Sequence, residues 1–483
     1  MAEMVSIPIW LAALVVVLAA LSVLDRFLLP GVRWFLRRRV TQVVEEINTR
    51  LDLKIQSFKL TRREVLIDRL TYDAEVMAAV TEKADADNIP REVLMADVAR
   101  YAREIVPAFN AYVYFRVGAW AARRVAEWLY RVRLGYANED GLTSVDPEAS
   151  VVFVMNHRSN MDYVLVAYLA ASRTALSYAV GEWARIWPLQ TLIRSLGAYF
   201  VRRNSGDALY RRVLERYVAM ATAAGVVQAV YPEGGLSRDG RLRPPRLGLL
   251  NYMLKSLETD GAKDVVFVPV GINYDRVFED RSLVRSLDED AERRTTGFAL
   301  KKTFGFIGHN FALMATGKWY RFGYACVNFG APVSARAWIE SHEAVDEDAQ
   351  RESIEALGQH LMGQVGQVVP VLPVSLIATV FANRPDDRIS ELDLKVAAHA
   401  IKTRLETEGA QVYVPHADAD YALSVGLRML TLRHLVVEKD GLFSVAEGEH
   451  PMLQYYANAI AHYFEREPGT LQKPTEISRK DDV

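Results

Sequence analysis

Val151 to Tyr163 reads VVFVMNHRSNMDY. Five apolar residues in succession, without polar alternation, describe a strand covered on both faces, and the polar loop behind them ends it. Three later stretches repeat the arrangement. AYFV (Ala198 to Val201) runs into Arg202 and Arg203, GVVQAVY (Gly225 to Tyr231) into PEGGLSRDGR, and VVFVPVGI (Val265 to Ile272) into NYDRV. A fifth run, YACVNFG (Tyr324 to Gly330), closes the region before Pro332. Such runs, alternating with helical segments, specify an α/β fold with a mostly parallel central sheet flanked by helices. In an open parallel sheet the loops at the strands' carboxyl ends converge on one crevice. Pro269 interrupts the fourth run, and a residue without a backbone N–H predicts a bulge or a strand end there.

The flanks differ in kind. From Thr41 to Asp140 apolar positions recur at helical spacing, as in Val43, Val44, Ile47 and Leu51, with breaks at Pro90 and Pro107. Ala111 to Tyr136 interleaves aromatics with arginine, a pattern that fits a helix against a bilayer surface or, the favoured reading, a helix packed on the core. Beyond Ser334 the chain turns helical again, with a hairpin over Leu435 to Val445 turning at Asp440-Gly441. Near the start, Ile7 to Leu24 (IPIWLAALVVVLAALSVL) carries no charge. As a helix it would be about 27 Å long, close to a bilayer's hydrocarbon thickness. Arg26, Arg33, Arg37, Arg38 and Arg39 follow it, which under the positive-inside rule places the body of the protein in the cytoplasm. The expected division is a transmembrane or membrane-anchoring helix (1–30), a helical region packing on the core or also on the membrane (31–140), an α/β domain (141–334) and a mostly helical C-terminal domain (335–483).

Composition narrows the function. With 51% hydrophobic and 24% charged residues, the 483-residue chain is a folded globular protein. Its 58 Lys+Arg against 60 Asp+Glu leave a net charge of -2, so no nucleic-acid partner is expected. Cys326 is the single cysteine, which excludes an intramolecular disulfide and a Cys-rich zinc site. There is no HExxH, GxSxG or GxxxxGK[ST] motif and no metal-spaced Cys/His cluster.

The chemistry sits in the loops. His157 and Asp162 stand five residues apart, and at about 100° per residue they cannot share a face of a regular helix. They can meet if His157 lies in the loop after the strand and Asp162 in the first turn of the next helix, with Ser159 or Asn160 as N-cap. An imidazole oriented by a carboxylate is the pair that removes a proton from a hydroxyl. A loop histidine beside a capping aspartate gives the same spacing, so the other loops carry weight. Gly234 and Gly235 let the backbone approach a ligand and offer N–H groups to an anion. Between Arg194 and Arg246 lie ten arginines, no lysine and four acidic residues, a local surplus of positive charge. Arginine binds phosphate through paired N–H bonds, so a phosphate-bearing ligand is expected.

The ordered set NHRSNMDY, GAYFVRRN, YPEGGLSRDGRL and VPVGINYDRV resembles the four motifs of the glycerolipid acyltransferases, and more narrowly those of the bacterial membrane-bound glycerol-3-phosphate acyltransferases. The likeness covers roughly Asp68 to Phe464, including YYANAIAHYF at Tyr455 to Phe464; Leu236 stands where the family often has arginine. The resemblance implies transfer of an acyl group from acyl-CoA or acyl-carrier protein to the sn-1 hydroxyl of glycerol 3-phosphate, without a further cofactor, at the cytoplasmic face of the inner membrane. Dihydroxyacetone phosphate and lysophosphatidate are the alternative acceptors. It implies that the α/β domain (141–334) is the acyltransferase catalytic domain, with His157 as general base and Asp162 as its partner. The implied substrate-binding set is Arg158, Arg202, Arg203, Glu233, Gly234, Gly235, Ser237, Arg238, Arg241 and Pro269.

Overall fold

A computed structural model describes residues 57–465 except 171–174, 182–188, 203–204, 259–260, 289–320, 343–345 and 415–418. The apolar run Ile7 to Leu24 and Arg203 lie outside the described residues. Among those described, no helix is long and apolar enough to cross a membrane.

Eight strands form the central sheet. They are β1 (Arg131–Ala137), β2 (Ser150–Met155), β3 (Ser177–Val180), β4 (Tyr199–Phe200), β5 (Gln228–Val230), β6 (Val265–Tyr274), β7 (Tyr324–Phe329) and β8 (Val333–Ser334). The order is β1-β7-β6-β2-β5-β3-β4, with β8 on β6. Pairing is parallel except where β6 meets β7 and β8. The mostly parallel sheet is therefore as the apolar runs require. Every residue of β6 is buried.

Alternate residues of β2 feed two different cores. Val152 and Val154 join Phe267, Leu250 and the apolar faces of helices Arg63–Thr71, Ala74–Asp87, Arg91–Ile105, Ala208–Ala223 and Glu347–Val368. Met155 joins Val268, Val270 and Ile272 against helices Ala119–Leu129, Met161–Ala170, Pro373–Asn383 and His450–Ala457. Chain on both sides of the expected 141–334 boundary thus shares both cores. Burying this much apolar side chain, at roughly 25 cal/mol per Å², holds helices to both faces of the sheet.

Two expectations need correction, and one short strand was not foreseen. The helix within Ala111 to Tyr136 ends at Leu129, and Arg131–Ala137 is an edge strand parallel to β7. Its arginines face solvent while Val132 turns inward, so the arginine-aromatic pattern belongs half to a helix and half to a strand. The short strand β3 carries no distinct signal in the sequence. Pro269 neither breaks nor bulges β6. It pairs with Val154 on one side, and on the other it falls between the residues bonded to β8 (Val266, Phe267) and those bonded to β7 (Val270 to Tyr274). Its carbonyl accepts from Gly330 N at 2.8 Å, so the missing donor faces a gap where no ladder bond is due.

In the C-terminal part, β9 (Ile389–Ser390), β10 (Val436–Lys439) and β11 (Leu442–Val445) form a small antiparallel sheet. The β10–β11 hairpin turns at Asp440-Gly441 as expected, both with positive φ (56° and 75°).

Candidate active site

The parallel strands β2, β4, β5 and β6 end on one edge of the sheet, so the four polar loops meet there. The loop after β2 is pinned first. Asn156 Nδ2 donates to Ile272 O (2.9 Å), and Ile272 N donates to Asn156 Oδ1 (2.8 Å). His157 Nδ1 then lies 2.9 Å from Asp162 Oδ2, with both side chains shut from solvent. Asp162 stands in the first turn of helix Met161–Ala170, and the Ser159 hydroxyl accepts from Met161 N (3.1 Å), so the expected local geometry forms. The same Oδ2 accepts from Arg158 N (2.8 Å) and Ser159 N (3.0 Å), and Oδ1 accepts from the Tyr274 hydroxyl (2.6 Å). An oxygen pair ringed by donors is a carboxylate, so the imidazole proton belongs on Nδ1 and the lone pair on Nε2. Tyr231 stacks on the imidazole with centroids 4.1 Å apart, and Tyr163 meets it edge-on at 5.5 Å.

The loop after β5 holds the backbone of His157 at both ends. Glu233 Oε1 accepts from His157 N (3.0 Å), and Ser237 N donates to His157 O (2.9 Å). The second oxygen of Glu233 is buried without a partner, and burial pushes this carboxyl up to about 8. The folded state therefore holds the proton more tightly than the unfolded chain does. Its stabilising contribution is complete below the ordinary glutamate range and is lost as pH rises toward and through about 8. Glu233→Gln mimics the protonated form, so its melting temperature should fall less than the parent's between pH 5.5 and 8.5. Parallel melting curves would defeat that assignment of the proton.

His157, Tyr163, Tyr231, Gly234 and Gly235 line a cavity of about 390 Å³ whose basic side chains among the described residues are Arg202, Arg211 and Arg246. The cavity brings together five of the expected site residues: His157, Arg202, Gly234, Gly235 and, through its hold on His157, Glu233. Arg202 is already engaged: its Nε and Nη2 donate to Glu104 Oε1 (2.9 Å) and Oε2 (2.6 Å), between the rings of Tyr101 and Tyr210. Among the described residues its Nη1 makes no hydrogen bond. Arg158 is buried outside the cavity lining, with Nη1 on Gly240 O, its guanidinium over the Tyr455 ring (4.8 Å), and Nε and Nη2 unpartnered. Arg238 is exposed, and Arg241 pairs with Glu465 at the surface. Neither lines the cavity, and Pro269 sits within β6.

Tyr274, Tyr231, Glu279, Arg211 and Arg246 were not singled out from sequence. Glu279 accepts from Ser159 Oγ (2.7 Å), Asn160 N (3.2 Å) and Asn160 Nδ2 (3.0 Å), so it grips the loop that carries the histidine. Tyr274 is the tyrosine of VPVGINYDRV (Val268 to Val277) and Glu279 lies two residues beyond it, so that motif is the one signal that pointed near them.

An α/β sheet that presents a His–Asp pair over an arginine-bearing cavity has the geometry for taking a proton from a bound hydroxyl group. Residues 137–273 match the Acyltransferase family, and residues 312–467 match the Glycerol-3-phosphate acyltransferase C-terminal region. The chain is 26% identical over 428 residues to a glycerol-3-phosphate acyltransferase of Ectopseudomonas mendocina, covering 84% of this chain and 49% of that one. It is 27% identical over 429 residues to the same-named protein of Pseudomonas fluorescens strain SBW25, covering 84% and 48%. The chain thus spans about half the length of these relatives. The crystal structure of the 1-acyl-sn-glycerophosphate (LPA) acyltransferase of Thermotoga maritima matches with a TM-score of 0.30 at 17% identity, over 63% of this chain and 97% of that one. The chain carries a region similar to the Acyltransferase family followed by one similar to the glycerol-3-phosphate acyltransferase C-terminal region.

Proposed function

We propose that the protein is a glycerol-3-phosphate 1-O-acyltransferase that draws its acyl group from acyl-CoA or acyl-carrier protein and releases lysophosphatidate. The observation that carries this reading is the His157–Asp162 pair at the wall of a cavity that also holds Arg202, Arg211 and Arg246. The arginines, with the backbone of Gly234 and Gly235, suit the phosphate. That anchors glycerol 3-phosphate with its free hydroxyl toward Nε2. His157 takes the hydroxyl proton as the oxygen attacks the thioester carbonyl, and Asp162 stabilises the imidazolium that forms. Collapse of the tetrahedral intermediate breaks the C–S bond, and the proton passes from Nε2 to the departing thiolate. The thioester is already activated, so this route asks for no cofactor beyond the acyl donor.

Membrane association is part of the proposal, with the catalytic body on the cytoplasmic side of the inner membrane. The charge-free run Ile7 to Leu24 and the arginines after it support this. So does helix Ala119–Leu129, which leaves Trp120 exposed (61%) beside the exposed Arg123 and Arg124, a mixture suited to an anionic lipid surface.

The test is thiol release by the purified protein with glycerol 3-phosphate and each acyl donor, with lysophosphatidate identified by mass. Preferential acylation of dihydroxyacetone phosphate or lysophosphatidate would replace the acceptor. Release of inorganic phosphate without free thiol would overturn the reaction class. In the same assay Arg246→Ala should raise KM for glycerol 3-phosphate about tenfold or more, the loss expected for one charge-assisted hydrogen-bonding group. A kcat effect with unchanged KM would remove Arg246 from the phosphate site.

A further inference from the structure

Three of the loops that build the catalytic edge are held by a short stretch near the end of the described chain, Tyr455 to Asn458. The Arg158 guanidinium, next to the catalytic histidine, lies on the face of Tyr455. In the loop after β5, Asp239 O accepts from Asn458 Nδ2 (2.8 Å). In the turn after β6, the buried Tyr456 hydroxyl donates to Asp280 and accepts from Val277 N (3.2 Å) and Arg433 Nη1 (2.8 Å). Arg433 Nη2 closes the knot on the same Asp280 oxygen. Asp280 is the residue after Glu279, whose carboxylate grips Ser159 and Asn160. The backbone N–H of that same Ser159 donates to Asp162.

We infer that Tyr456, fastened to Asp280 and Arg433, is a positioning residue for the reaction: through Glu279 it sets where the Ser159–Asn160 loop holds the His157–Asp162 pair. The C-terminal helices are on this account a working part of the active site. The physical reason is the depth of the knot. The hydroxyl of Tyr456 serves three partners at once where water does not compete, so removing it leaves the turn's N–H at Val277 and the Asp280 carboxylate each short of a bond. The relaxation passes to Glu279 and from there to the dyad, which needs near-ideal geometry to act. The inference rests on His157 being the base proposed above.

Tyr456→Phe keeps the ring and deletes only the hydroxyl. The expected result is a fall in kcat of about tenfold, with KM for glycerol 3-phosphate within about twofold. Glu279→Gln should do the same, and the double variant should lose no more than the worse single, because both act along one chain of bonds. A folded Tyr456→Phe with parental kcat overturns the inference, as does a double variant whose loss is the product of the two. If Tyr456→Phe does not fold, Arg433→Lys, which preserves the charge, carries the same comparison. A non-enzymatic readout separates this from failure of the functional reading. The His157 Nδ1–H proton resonance, assigned with His157→Gln, should move upfield in Tyr456→Phe as the bond to Asp162 loosens. An unmoved resonance overturns the inference whether or not the parent transfers acyl groups, whereas a parent that releases no thiol overturns only the function.

Discussion

His157→Ala should lower kcat for acyl transfer by about 10²- to 10⁴-fold, the range a positioned general base contributes. KM for glycerol 3-phosphate should change little, because the arginines and glycines of the cavity are untouched. The fold should survive. Asp162 keeps three of its four donors (Arg158 N, Ser159 N and the Tyr274 hydroxyl), so its charge is not stranded when the imidazole goes. Tyr231 and Tyr163, which flank the ring, lose packing on one side, a cost of the order of a core truncation, about 2–4 kcal/mol. Thiol release with saturating acyl donor, read beside a melting curve, separates the two effects. Undiminished turnover in the folded variant would remove the proposed base.

The second large effect is on stability and has its origin at Gly240. This residue has φ of +90°, and a Cβ there would stand 2.0 Å from the carbonyl oxygen of Tyr455. Neither problem has a cheap remedy: the backbone conformation disfavours any L side chain, and the obstacle is main chain and cannot rotate away. Left-handed strain of about 1–2 kcal/mol and overpacking of about 1–3 kcal/mol add to roughly 2–5 kcal/mol. Gly240→Ala should therefore lower the melting temperature by several degrees or more, and because Arg158 donates to Gly240 O, activity should fall further than stability alone explains. Gly261→Ala provides the comparison: its φ is +72°, but nothing lies within 4 Å of its Cβ, so it should show the backbone cost alone. Equal destabilisation in the two variants would show that the close approach to Tyr455 contributes nothing.

The two predictions bear on different reaches of chain, and so does the legibility of the site. The His157–Asp162 pair could be read directly because five residues of loop carry both partners and the helix start that orients them. The strands β2 and β6 and the Asp440-Gly441 hairpin were legible for a similar reason. Burial on both faces demands an unbroken apolar run, and a tight turn demands residues that tolerate positive φ. The edge strand β1 was missed because one face is solvated, so its arginines look like those of the helix before it. The arginines were only partly sorted: their clustering pointed to an anion site, yet Arg158, Arg238 and Arg241 lie off the cavity while Arg211 and Arg246 line it.

What local spacing could not supply is the shell that makes the pair work. Tyr274 reaches Asp162 across 112 residues, Glu279 reaches Ser159 across 120, and Glu104 claims Arg202 across 98. Tyr456 meets Asp280 across 176. Which distant partner satisfies a buried donor or carboxylate depends on how the helices close over both faces of the sheet. Periodicity along the chain records that a residue is covered, but not by what. The type of chemistry was written into the loops after four apolar runs. The orientation of the base, the neutralisation of Arg202 and the unpartnered oxygen of Glu233 came from packing, because hydrogen bonds and desolvation act between neighbours in space.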